Sequence, residues 1–199
     1  MTLPAVTLGA QTDLDAVNEM MMSIGQAPVS SISTPGIRDL AIAVYTLGFV
    51  SRQVQSRGWW FNRELHYLMT QDVSQKYPIP ANALSVRFYD QTRNGGIQNG
   101  FLYDMDNHSF TYPNDPTLYV DVIWMYDYNT LPQEARNYIG VRAARIFQAK
   151  VIGAAEMYKS NGDEELEALA AMKREHLRNA RSNMFFTPTG ANRIYNRAY

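Results

Sequence analysis

QVQSRGWWFN, Gln53–Asn62, decides how the chain is built. Upstream, Ile37, Leu40, Val44, Leu47 and Val54 recur at helical intervals, and Arg52 and Arg57 suit the negative end of a helix dipole. Glutamines 53 and 55 leave that end polar but weakly charged. Gly58 supplies a C-terminal cap, so a long helix over 37–57 stops there. Downstream the pattern turns to short alternating runs, and Trp59, Trp60 and Phe61 launch them. Successive residues of a strand face opposite ways, which sends Trp59 and Phe61 to one side and Trp60 to the other. Trp59 is expected in the core and Trp60 to be the more exposed. The corner reads as a bundle–sheet junction, Gly58 to Phe61.

The runs that follow are ELHYLMT (64–70), LSVRFYD (84–90), GFLYDMD (100–106), HSFTY (108–112) and LYVDVIWMY (118–126), separated by Pro, Gly and Asn clusters. They predict antiparallel strands. In the last, Leu118, Val120, Val122, Trp124 and Tyr126 share one face, and Tyr119, Asp121, Ile123 and Met125 the other. YDMDNHSFTY reads as a hairpin turning at Asp106 and Asn107. RNGGIQNG (93–100) reads as a flexible loop between strands.

Helical signals flank this region. In TDLDAVNEMMMSIG (12–25), Thr12 and Asp15 have capping-box spacing, and Leu14, Val17, Met21 and Ile24 form a stripe that Gly25 and Pro28 end. Three consecutive methionines do not fit one face, so at least one points elsewhere. NTLPQEARNYIGVRAARIFQAKVIG (129–153) places Pro132 in a first turn and Ile139, Ala143 and Ile146 on one face, with Arg136, Arg142 and Arg145 as a basic polar side. SNGDEELEALAAMKREHLRNARSNM (160–184) is acidic at its start and basic toward its end, with Leu166, Leu169, Met172 or Lys173, Leu177, Ala180 and Met184 as its stripe.

The fold class is therefore α+β: an antiparallel bundle of about four helices with an inserted antiparallel β subdomain and an extended C-terminal arm. The bundle takes 1–58 and 129–184, the β insertion 59–128 and the arm 185–199. From His176 onward the chain holds Arg178, Arg181, Arg193 and Arg197 and no acidic residue, interleaved with Phe185, Phe186, Ile194, Tyr195 and Tyr199. That composition suits an arm that grips a partner. A strap on its own subunit is the other reading.

Composition narrows the function classes. The 199 residues are 46% hydrophobic and 19% charged, enough for a real core. A formal net charge of −1 makes no global case for nucleic-acid or membrane binding. The absence of cysteine removes disulfides, thiolate nucleophiles and Cys-based metal sites. The N-terminus lacks the basic and apolar regions of a secretory signal, and no apolar run approaches a membrane span, so a soluble protein used without export is expected.

Chemistry finds no anchor. His66, His108 and His176 stand apart, without metal-ligand spacing. Asp104, Asp106, His108 and Asp115 faintly imitate a calcium loop, but Ser109 stands where the sharp-turn glycine belongs. Neither a GxSxG elbow, a P-loop nor a dinucleotide fingerprint occurs. Glu64, Asp90, Asp104 and Asp106 have no context that marks a glycosidase pair. No catalytic, cofactor-binding or metal-binding residue is expected.

Three stretches together carry a resemblance: LDAVNEMMMSIGQAPVSS (14–31), RQVQSRGWWFN (52–62) and LPQEARNYIGVRAARIF (131–147). They resemble the AVN…IG..PV opening, the QSRGW.FN corner and the LP….R..I..RA.R.F helix of the tail tubular protein A, or head-to-tail adaptor, family of short-tailed, podovirus and autographivirus-like bacteriophages. The resemblance implies a virion protein of the tail. It would form a dodecameric ring beneath the portal protein, join it to the nozzle protein (tail tubular protein B), help to anchor tail fibres and let DNA pass through its lumen, with no membrane partner. On that expectation Arg136, Arg142, Arg145, Arg178, Arg181, Arg193, Tyr195, Arg197 and Tyr199 contact portal or neighbouring subunits. Two other functions stay open. One is a tail-associated glycan hydrolase. The other is a DNA-binding module using Arg136, Arg142, Arg145 and the tail.

Overall fold

The computed structural model describes residues 10–90, 92–152 and 162–184. Among them are four α-helices, α1 (Asp13–Ser23), α2 (Arg38–Gln55), α3 (Gln133–Ile152) and α4 (Gly162–Met184). The strands are β1 (Arg63–Thr70), β2 (Ala83–Phe88), β3 (Gly95–Gln98), β4 (Phe101–Asp104) and β5 (Thr117–Trp124). The fold is α+β. The chain divides into two compact units, Met1–Ser51 with Asp127–Tyr199, and Arg52–Tyr126. The arm expected over 185–199, with Arg193, Tyr195, Arg197 and Tyr199, lies outside the described residues, as does the side chain of Arg181.

In the helical unit, α1 starts at a capping box. The Thr12 hydroxyl accepts from the Asp15 amide at 3.2 Å, and the Thr12 amide donates to the Asp15 carboxylate at 2.9 Å. The buried stripe is Ala16, Val17, Met20 and Met21, while Met22 is 53% exposed. Leu14 and Ile24 are only half-buried; Ile24 is the C-cap and lies past the last helical turn. Leu40, Ala43, Leu47, Val50 and Val54 of α2 are buried at alternating three- and four-residue steps. Ile37 precedes the helix and is exposed, and Val44 is half-buried.

A 3₁₀ turn, Tyr128–Thr130, leads into α3. The Pro132 carbonyl accepts from the amides of Ala135 and Arg136, both at 3.0 Å, which starts the helix at the expected proline. Ala135, Tyr138, Ile139, Ala143 and Phe147 are buried, and α3 packs against α1 and α4. On α4 the buried stripe is Glu165, Ala168 and Met172, whereas Leu166 is 64% and Leu177 54% exposed. The apolar stripe expected for this helix is therefore rotated. A carboxylate that meets two arginines of α3 holds the inward position, and Leu166, one residue on, turns about 100° away.

In the second unit, β1, β5 and β2 form an antiparallel sheet in the order β1-β5-β2, and β3 pairs with β4. Met69, Tyr77, Val86, Phe88, Leu102, Tyr112, Val120, Val122 and Trp124 make its core. The alternation expected in β5 holds from Tyr119 to Trp124. The strand ends at Trp124, and Tyr126 is exposed.

Two strand expectations need correcting. RNGGIQNG is not a flexible loop: Gly95–Gln98 is β3, and Gln98 faces Phe101 across a two-residue turn. Asn99 and Gly100 sit at φ 51° and 77°, the positive values such a hairpin turn requires and this residue pair tolerates. HSFTY is not a strand. Only Ser109 bridges Asp104, and Tyr112 leaves the ladder for the core.

The expected turn at Asp106 and Asn107 is held by Asp104. Its carboxylate accepts from the amides of Asp106 and Asn107 at 2.9 and 3.0 Å and from the Asn107 side chain at 3.0 Å, with Arg93 at 3.5 Å. Burial alone would raise the pKa of this acid. The hydrogen bonds from Asn107 and Asp106 and the Arg93 charge outweigh it and hold the folded value below the ordinary 3.8. A depressed folded pKa contributes stability that is present above 3.8 and is lost as the pH falls through the folded value. Hydrogen exchange at the Asp106 and Asn107 amides is therefore expected to accelerate only below that ordinary value, and Asp104→Asn to erase the acid step. An Asn variant that keeps the same acid midpoint would refute it.

Candidate interaction surfaces

The corner is a turn, which overrules the strand alternation expected for its aromatics. The Trp59 carbonyl accepts from the amides of Asn62 and Arg63, at 3.2 and 3.0 Å, and β1 begins only at Arg63. Trp59 is 6% exposed, and its indole donates to the Val54 carbonyl at 2.7 Å. Trp60 and Phe61 are not on opposite faces. Both are half-buried and they pack edge to face, centroids 5.1 Å apart. Gly58 sits at φ 71°, and a Cβ there would come within 2.8 Å of the Ile123 side chain, so both conformation and space favour glycine.

What locks the corner is polar. Asn62, 1% exposed, accepts from the Trp59 amide at 2.8 Å and donates to the carbonyls of Gln55 and Trp124 at 2.9 and 2.7 Å. Gln55 is wholly buried. Its side chain donates to the Tyr126 carbonyl and accepts from the Tyr126 amide, each at 2.9 Å. Read from sequence, Gln55 belonged to a polar helix end and Asn62 had no role. The signal was present in the QSRGW.FN pattern, which begins on Gln55 and ends on Asn62.

The α3 arginines find partners within the chain. Arg136 donates to the carbonyls of Leu131 at 2.7 Å and Gln11 at 2.9 Å. Arg142 and Arg145 converge on Glu165 at 2.8 and 2.6 Å. Glu165 is 7% exposed and stands in the acidic first turn of α4, where the helix dipole also favours a carboxylate. Glu165→Gln keeps the shape but leaves two guanidinium groups facing a neutral amide. We expect it to lower the unfolding free energy by about 2 kcal/mol, less than for a fully buried pair because the arginines keep 26% and 19% exposure. An unchanged denaturant midpoint would refute this. Arg178 is exposed and bridges Glu175 at 3.0 Å, a surface pair of little energetic weight.

The β1-β5-β2 sheet turns Val120, Val122 and Trp124 to its core and the alternate residues outward. Register puts Arg63 beside Ile123, Arg87 beside Asp121 and Leu68 beside Tyr119 on that outer face. Tyr119 is 53% and Leu68 48% exposed. At the β1 bulge, His66 lies 3.5 Å from the Tyr89 ring, centroid to centroid, and edge-on to Tyr119. Arg57, Arg63 and Arg87 border an open cleft of about 450 Å³ with Ser85, Tyr89 and Asp121. Arg63 reaches Asp121 at 3.8 Å. Among the described residues no salt bridge engages Arg57 or Arg87.

Among the described residues no group of three acidic or histidine side chains is placed to hold a metal ion, and no helix is long and apolar enough to cross a membrane. The sequence profile of the tail tubular proteins matches residues 14–182, from α1 through both units into α4. The chain belongs to the tail tubular protein family. It is similar to the tail tubular protein A of Klebsiella phage KP34, 26% identical over 171 residues that cover 85% of this chain and 89% of that one. Membership makes it a structural component of a bacteriophage tail.

Proposed function

We propose that this tail tubular protein is the head-to-tail adaptor of its virion. Twelve copies close a ring that joins the portal to the nozzle, helps to anchor the tail fibres and lets DNA pass without sequence-specific contact. Its role is mechanical, not catalytic. The observation that carries the reading is the family match over 14–182, which takes in the helical unit and the sheet unit together. A ring subunit needs two different, mutually complementary surfaces. An exposed sheet face rich in arginine and tyrosine has the composition of such a surface.

In this reading Arg178, Arg181 and the arm residues Arg193, Tyr195, Arg197 and Tyr199 contact the portal. Arg136, Arg142 and Arg145 serve assembly through the packing they hold. Mass photometry and negative-stain microscopy of the purified protein, alone and with portal rings of the same phage, test the ring. A strict monomer in both conditions would defeat it. Deletion of Ala191 to Tyr199 is expected to abolish capture on portal rings, and undiminished capture would take the arm out of the docking role.

A further inference from the structure

We propose that the outer face of the β1-β5-β2 sheet receives the first two turns of α4 from a second copy of this chain. This rests on the ring reading and names the contact that builds it. Along the receiving face, exposed Tyr119 and Leu68 stand at one end of the outer row, and Arg57, Arg63 and Arg87 gather around Asp121 and Ile123 toward the other.

The complementary surface lies on α4. Glu165, Ala168 and Met172 face inward, so Asp163, Leu166, Glu167 and Ala170 share the outward stripe, and all four are exposed together with Glu164. Leu166, 64% exposed, is thus an apolar side chain ringed by three carboxylates, and the next cation along the helix is Lys173. Charge and apolar character both match: an acidic stripe that carries an exposed leucine meets a face with a basic cluster beside an exposed leucine and tyrosine. Size matches as well. Three strands span about 10 Å between the outer pair, the width of one helix. Since the two patches differ, the contact is heterologous, and repeated copies generate a closed ring or an open filament.

Charge reversal tests it. Arg57→Glu with Arg87→Glu makes the face acidic, and Asp163→Lys with Glu167→Lys makes the helix basic. All four side chains are exposed, and thermal melts like the wild type's establish that both variants fold. Each variant alone is expected to need at least about tenfold more protein for half-assembly on portal rings, since like charges then face each other. An equimolar mixture is expected to recover the wild-type value. Alternating copies restore opposite charges at every contact, which no effect within one chain does. Assembly by either variant at the wild-type concentration, or a mixture that assembles no better than its components, would overturn the proposal while leaving the ring in place. So would a face variant that assembles normally but loses salt-sensitive binding of an oligonucleotide, since the face would then serve nucleic acid. Wild-type protein that never oligomerises would overturn the ring reading as well.

Discussion

Asn62→Ala is expected to lower the unfolding free energy by about 3–5 kcal/mol. The substitution deletes one acceptor and two donors at a site 1% exposed, and takes the side-chain partner from the Trp59 amide and the Trp124 carbonyl, while the Gln55 carbonyl keeps the Gly58 amide at 3.0 Å. A buried polar group left without a partner costs about 1–3 kcal/mol, and two such costs, with the third bond lost as well, exceed the net worth of the bonds themselves. The measurement is a denaturant midpoint with an unchanged slope. A loss below about 1 kcal/mol would mean that water replaces the side chain and that the amide lock is not structural.

Trp59→Ala comes next, with an expected loss of about 3–5 kcal/mol for a large aromatic removed from the core. Trp59 is 6% exposed, and its indole also satisfies the Val54 carbonyl near the end of α2. A thermal melt unchanged by the substitution would refute the assignment. The two losses are not expected to add. Asn62 accepts from the Trp59 amide, and the Trp59 carbonyl accepts from the Asn62 amide, so either change loosens the same turn. A double variant is expected to lose less than the sum of the single ones.

What could be read from the sequence was whatever short-range chemistry dictates. The Thr12–Asp15 box, Pro132 at the start of α3 and the alternation in β5 depend on neighbours a few residues away, and all appear in the structure. Arg142, Arg145 and Glu165 are separated along the chain, so their convergence, and with it the rotation of α4, is a tertiary outcome that an apolar stripe count misses. At the corner Trp59 is buried and Trp60 the more exposed, as expected, but the strand alternation of the aromatics fails for a related reason. A run of aromatics carries strand propensity, but two buried amides that bond to backbone set a turn instead. The glycines of RNGGIQNG suggest freedom, and that is the wrong weight to give them. The Asn–Gly pair at its end is a strong hairpin signal, and β3 and β4 close upon it.

The Gln55 side chain and the Tyr126 main chain exchange two hydrogen bonds at the points where the chain passes into and out of the sheet unit. The two ends of the seventy-odd residues between them are therefore held a side chain's reach apart. Loop-closure entropy grows only logarithmically with length, about 0.6 kcal/mol per doubling. The length of the hairpins therefore adds little to the entropy of closing the sheet unit, because two hydrogen bonds between Gln55 and Tyr126 fix where its ends meet.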